Sequence, residues 1–336
     1  MSEFKDPIAF EVFKSSLTGL ADEMGLVTLR SGHSPILSSA MDFSTAVCDR
    51  EGQVLAQGQG VVLHLGTIPD AMTLLVERYR GRLAPGDVFV FNDTDEVAQH
   101  LPDLYVIRPC FAEGEHVGFV VCTAHHVDVG GRSPGSVDQT CTEIFQEGVQ
   151  IPLVRLYRAG DLNEDVMAIL LRNTRLPELV RGDLEGQLAA LDAGQLGVAA
   201  LIARHGLPRY QELCRELLDY TERLTRAEIA RIPDGVYRFE DWLDDDGVGD
   251  EPVPVRVAVT VEGDAIEFDW TGSGPQVPSA LNVHIANTRA VTYGALQGAF
   301  TGDIPSNQGF YRPISVKATP GTIVNSVRPA ARGARG

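Results

Sequence analysis

Three of the eight histidines and two carboxylates fall in two short polar clusters, inside a stretch otherwise rich in apolar, strand-forming residues. The first cluster is His100-Leu-Pro-Asp103 and the second is Thr123-Ala-His125-His126-Val-Asp128-Val-Gly-Gly131. Imidazole with carboxylate is a favoured donor set for a borderline divalent ion such as Zn, Mn, Fe or Co. If the groups converge, such an ion would polarise a carbonyl or activate a water. The bland alternative is a set of satisfied polar groups at the end of a hairpin. His125 and His126 are adjacent at a strand end and must point to opposite faces, so at most one joins an inward site unless the strand is broken. Asp128 is placed to orient an imidazole. Asp42, in Ser38-Ser-Ala-Met-Asp-Phe-Ser44, either caps the backbone or reaches the site as an extra ligand. His64, in the apolar run Val61-Val-Leu-His-Leu-Gly66, reads as a hydrogen-bonded core histidine in a strand.

The elements that must position these groups follow from periodicity. Leu104–Phe111 and Val117–Thr123 read as strands joined by a turn at Glu113-Gly-Glu115, which puts both clusters at the same end of one hairpin. Pro7–Leu29 reads as an amphipathic helix capped by Asp6, with Pro7 in its first turn. Thr45–Asp49 and Gln53–Gln57 flank a hairpin turn, Thr67–Arg80 fits a helix, and Asp87–Phe91 fits a buried strand. From Asp161 to about Ile232 the pattern is helical, with Leu184, Leu188, Leu191, Leu196 and Leu201 and then Leu213, Leu217, Leu218 and Leu224 as stripes. Strand periodicity returns at Tyr237–Glu240, Val253–Val261 and Ala265–Asp269, before a small-residue helix near Ala286–Ala299 and a strand-like Thr322–Asn325. The expected fold is α+β, with mixed sheets around a metal-binding hairpin and a long helical middle. Its expected divisions are residues 1–160 for the metal site, 161–232 for the helices and 233–336 for a β-rich domain incomplete at its C-terminal end. Residues 329–336 end no element and read as either a flexible tail or the stump of a longer chain.

With 336 residues, 44% of them hydrophobic and 22% charged, the chain has the composition of a soluble globular protein of two packed units. A net charge of −18 repels phosphates and anionic lipid, so neither nucleic acid nor a membrane is an expected partner. The five cysteines are scattered, with no Cys-x-x-Cys, and read as reduced thiols. No uninterrupted apolar run approaches the length of a membrane span and Met1–Pro7 lacks a signal pattern, so the expected location is cytoplasmic. The sequence holds no Gly-x-x-x-x-Gly-Lys-Ser/Thr loop, dinucleotide fingerprint or Gly-x-Ser-x-Gly elbow. Cys122 lies close to His125 but sits in mid-strand as a buried, inert thiol.

The ordered motifs resemble the hydantoinase B/5-oxoprolinase family. They run from Asp6-Pro-Ile-Ala-Phe-Glu-Val through Ser39-Ala-Met-Asp-Phe-Ser44, His64-Leu-Gly66, His100-Leu-Pro-Asp103 and Ala124-His-His-Val-Asp-Val-Gly-Gly131. They continue with Gln146-Glu-Gly148, Phe268-Asp-Trp-Thr-Gly272, Asn307-Gln-Gly309 with Arg312-Pro313, and Gly321-Thr-Ile-Val-Asn325. The stretch Asn92–Gln99 departs from the family's Pro-Tyr and Gly-Gly-Thr pattern. The resemblance implies a divalent metal ion (Zn, Mn or Fe) on His100, Asp103 and His125, with Asp42 contributing. His126 and Asp128 then become the catalytic or substrate-facing candidates. It further implies the B-type subunit of a hydrolase that opens a hydantoin, 5-oxoproline or lactam ring. An A-type partner subunit would handle ATP, which is thought to phosphorylate the amide oxygen before hydrolysis. The alternatives are a ketone carboxylase subunit, which is a ligase, and a non-catalytic assembly subunit.

Overall fold

The computed structural model describes residues 6–334. Residues 1–5, most of the N-terminal heptapeptide, and residues 335–336, the end of the basic tail, lie outside the described residues. The first helix, α1 (Pro7–Ser31), starts where Asp6 accepts a hydrogen bond from the Ala9 amide at 3.0 Å and Pro7 fills the first position. A single turn, α2 (Pro35–Ser38), leads to β1 (Phe43–Asp49) and β2 (Val54–Gln57). The next helix, α3 (Val62–Tyr79), begins five residues before the expected Thr67, so His64 and Gly66 are helical rather than in a strand. Pro69 removes a donor from the interior of this helix. The Leu65 carbonyl, left without its usual partner, accepts from Gln57 Nε2 at 2.7 Å.

Three strands follow: β3 (Val88–Phe91), β4 (Asp103–Ala112) and β5 (Glu115–His125). With β6 (Val154–Arg158) and β7 (Asp161–Leu162) they complete a seven-stranded sheet in the order β2-β1-β5-β4-β3-β6-β7, every neighbouring pair antiparallel. The helical middle is α4 (Glu164–Asn173), α5 (Pro177–His205) and α6 (Leu207–Ile229). It lies against one face of the sheet: Leu184, Leu191, Leu213 and Leu217 share a core with Phe10, Phe13 and Leu17 of α1 and with Val106, Val120 and Cys122 of the strands. On the other face Ile68, Met72 and Leu75 of α3 pack on Phe89, Phe91, Tyr105 and Ile107. Because both faces are covered, the strands are apolar along nearly their whole length instead of alternating. Leu196 departs from the expected stripe and is 72% exposed, since a step of five residues from Leu191 carries it off the buried face.

Gly182, Gly186 and Gly194 recur on one face of α5; Gly186 and Gly194 let it approach Ser31 and Met24 of α1 closely, and Gly182 meets His33 just beyond that helix. A Cβ at Gly194 would stand 2.6 Å from Met24 Sδ and 2.9 Å from Val120 Cγ1. By length and composition α5 is the one helix among the described residues apolar enough to cross a membrane. Here it packs beside α1 on one face of the sheet.

A second sheet comprises β8 (Gly235–Leu243), β9 (Val253–Glu262) and β10 (Ala265–Asp269), and beyond α7 (Ile285–Ala299) and α8 (Gln308–Tyr311) it gains β11 (Ile314–Lys317). Its order is β11-β10-β9-β8, with β10 and β11 parallel. Thr322–Asn325 is not a strand but a tight bridge closing on itself. The segment that follows is no loose tail either: Ala331 and Arg332 are 0% and 1% exposed.

Candidate metal centre

Strand register gathers the polar clusters. Asp103, the first residue of β4, pairs with His125, the last of β5. Phe43 pairs with Ala124, which brings Asp42, just ahead of β1, beside His125. The His125 amide donates to the Asp42 carbonyl at 3.0 Å. His100 lies in the turn before β4, where its carbonyl accepts from the Asp103 amide at 3.1 Å. The first turn of α3 brings in His64. Three adjacent strand ends and one helix start therefore meet at a single edge of the sheet.

The donor atoms lie close together. His100 Nε2 is 3.0 Å from Asp103 Oδ1 and 3.0 Å from His125 Nδ1, and His125 Nδ1 is 3.4 Å from the same Oδ1. Asp42 stands further out, 3.8 Å from both His125 and His64. His64 Nε2 is buried without a hydrogen-bond partner and lies 3.3 Å from the second oxygen of Asp103. On the far side of the His100 ring, Nδ1 meets the Gly333 carbonyl at 3.0 Å. A carbonyl only accepts, so Nδ1 carries the proton and Nε2 presents a lone pair to the cluster. That lone pair faces a carboxylate oxygen and a second imidazole nitrogen, an arrangement that a shared cation makes favourable. Atoms bound about 2.1 Å from one ion stand about 3.0–3.4 Å apart in octahedral or tetrahedral geometry, so the donor set fits a divalent cation. Asp103 and His64 close the inner side, while the side chains of His125 and Asp42 are 15% and 35% exposed and leave the outer side open.

His126 and Asp128 are not brought into this cluster. The strand pleat turns His126 to the helical face, where Nε2 meets Gln187 Oε1 at 2.9 Å, and burial holds its pKa below the ordinary range. Burial pushes the Asp128 carboxyl up, but hydrogen bonds win and hold it below its usual value. It accepts from the amides of Gly130, Gly135 and Arg175 and from the Arg175 guanidinium at 2.8 Å. The glycines beside it, Gly130 at φ 92° and Gly131 at φ 80°, allow close approach to the backbone of Asn173 and Glu147 rather than to a ligand. Burial pushes the Cys122 thiol up to about 12, out of range for a nucleophile.

Two contributors escape a reading by strand periodicity. His64 falls on the buried stripe His64, Ile68, Ala71 and Leu75 once the helix is started at Val62, and that stripe faces the sheet. The Gly333 carbonyl leaves no trace in side-chain chemistry at all.

The hydantoinase B/oxoprolinase family pattern matches residues 6–335. The chain belongs to that family. It is 32% identical over 326 residues to the caprolactamase subunit beta of Pseudomonas jessenii, covering 97% of this chain and 56% of that one. It is 28% identical over 336 residues to the 5-oxoprolinase of Saccharomyces cerevisiae, covering 95% of this chain and 26% of that one. The crystal structure of the ATP-dependent caprolactamase from P. jessenii superposes with a TM-score of 0.91 over 98% of this chain and 57% of that one, at 32% identity. A nucleotide-free acetone carboxylase structure reaches the same TM-score over 98% of this chain and 46% of that one; at 20% identity it speaks for the fold alone. The chain thus spans little more than half the length of its subunit-sized relatives.

Proposed function

We propose that this chain is the metal-holding part of the B-type subunit of an ATP-dependent cyclic-amide hydrolase, opening a hydantoin, 5-oxoproline or lactam ring. The observation that carries the reading is the convergence of His100 Nε2, Asp103 Oδ1 and His125 Nδ1 within one cluster, in a chain with caprolactamase and 5-oxoprolinase relatives. His100, Asp103 and His125 would hold a Zn, Mn or Fe ion, with Asp42 as a further carboxylate on the solvent side of the cluster. When bound, the ion supplies Lewis-acid polarisation of a carbonyl oxygen.

The chain's own residues set the stage for that step. Asp103 joins the two sides of the site, one oxygen toward His100 and His125 and the other toward His64. The open face beside His125 and Asp42 admits the ring, and the walls around Asp103 keep water out. His126, through Gln187, fixes the strand end that aims His125. Asp128 holds the following loop in place. ATP is assigned to an A-type partner subunit, in keeping with the relative's designation as a subunit beta.

The test combines metal content with turnover. Plasma mass spectrometry on the purified chain is expected to find about one equivalent of a divalent metal, lost in folded His100→Ala and His125→Ala variants. Reconstituted with the A-type partner and ATP, the wild type is expected to open at least one such ring, and His125→Ala none. A folded, metal-supplemented wild type that binds no metal, or a metal-loaded complex that opens no ring, overturns the reading.

A further inference from the structure

Residues 329–336 read in the sequence as a tail or a stump, yet the segment from residue 326 to 333 is pinned to the body of the molecule. Arg332 is fully buried and every side of its guanidinium is used. Nε donates to Ser326 Oγ at 2.9 Å, one terminal nitrogen to the Ser326 carbonyl at 2.8 Å, and the other to Thr94 Oγ1 at 3.0 Å and Asp95 Oδ1 at 2.7 Å. The backbone is pinned along its length: the Ile144 amide donates to the Pro329 carbonyl, Asn282 Nδ2 to the Ala331 carbonyl, and the Ala334 amide to the Ala280 carbonyl. Glu147 completes the grip, since its Oε1 accepts from the amides of both Arg332, at 2.8 Å, and Gly333, at 2.6 Å. One peptide further on, the Gly333 carbonyl meets His100 Nδ1.

We infer that this segment is a strap belonging to the metal centre: Glu147 and Arg332 hold the Gly333 carbonyl where it accepts a hydrogen bond from Nδ1–H of His100, which fixes the tautomer that presents Nε2 to the cation. Glu147 and Arg332 are positioning residues that touch neither ion nor substrate. The inference rests on the reading of the cluster as a metal site, and it gives a physical task to Gln146-Glu-Gly148, a motif the proposed chemistry leaves unused. A partner that orients a ligating imidazole sets its affinity for metal, typically by 10–100-fold. Glycine fits at 333 because a Cβ there would lie 3.0 Å from Glu147 Oε1.

The experiment uses the metal-free chain with nitrogen-15 in its histidines, read by long-range proton–nitrogen correlation, followed by competition titration with Zn²⁺. In the wild type His100 is expected as the Nδ1-protonated tautomer. Glu147→Ala is expected to mix the two tautomers and weaken Zn²⁺ binding by on the order of 10-fold, while Glu147→Gln, which keeps an acceptor oxygen, restores most of both. If Glu147→Ala does not fold, Gly333→Ala, which crowds the same carboxylate, decides by the same two readouts. A folded variant with the wild-type tautomer and the wild-type affinity overturns the strap. Should the wild type bind no Zn²⁺ at all, a tautomer shift still upholds the strap and only the metal reading falls; with no shift, both fall.

Discussion

At the residue scale, the cluster is a problem in surplus acceptors. His100 and His125 both turn ring nitrogens toward Asp103, and its second oxygen faces His64 across 3.3 Å. A buried imidazole nitrogen without a partner is rare enough to demand a reason. Here that nitrogen lies 3.3 Å from the second oxygen of Asp103 without a hydrogen bond to it, which puts the ring at the inner wall of the cluster. His64→Gln keeps a polar group of similar reach but loses the ring. We expect it to weaken divalent-metal affinity about 10-fold, measured by calorimetric titration, with metal still binding at one site. The convergence of His100, Asp103 and His125 was legible in the sequence, because the turn at Glu113-Gly-Glu115 pairs the strand that starts at Asp103 with the one that ends at His125 and puts both clusters at one end of the hairpin. His64 was not, because a five-residue error in the helix start turns a sheet-facing position into a strand interior.

At the element scale, the helix that carries His64 is held by a close crossing. A Cβ added at Gly66 would stand 2.4 Å from Ala290 Cα, and one at Gly294 would stand 2.3 Å from Val62 Cγ1. So α3 and α7 touch nearly backbone to backbone, and backbone cannot turn aside as a side chain can. Gly66→Ala is expected to destabilise the fold by about 1–3 kcal/mol in urea unfolding and, by moving the first turn of α3, to reduce metal affinity as well. Unchanged stability would mean that α7 shifts freely. The main elements of the first 125 residues, α1 and the β4–β5 hairpin above all, were readable from periodicity and capping. The parallel pairing of β10 with β11 was not, since it joins segments separated by two helices and their loops and no local pattern encodes it. The inward course of residues 326–333 was hidden for the same reason: Arg332 reads as a surface charge until Asp95, Thr94 and Ser326 are seen around it.

At the scale of the whole molecule, opposing titrations share one pH window. Burial raises Glu147 from its ordinary 4.5 to about 7, so the folded state holds a proton that the unfolded chain has released, and stability falls as pH rises from about 4.5 to 7. His284 runs the other way: burial lowers it from 6.5 to about 4, so folding expels a proton and stability rises over about pH 4 to 6.5. Each is worth on the order of 3 kcal/mol. Relative to the wild type in urea unfolding across this window, we expect the stability of Glu147→Gln to rise more with pH, and that of His284→Gln to rise less. Parallel profiles for all three would refute the assignment.

The strap also orders events during synthesis. His125 leaves the ribosome 208 residues before Gly333, the difference between 333 and 125. At roughly 5–20 residues per second, the three converging side chains are exposed for about 10–40 s before the carbonyl that aims His100 exists. An ion captured in that interval would meet an imidazole free to choose either tautomer. On the proposed metal reading, faithful loading would be a late event in the life of the nascent chain, reserved for a polypeptide that has already threaded Arg332 into its core.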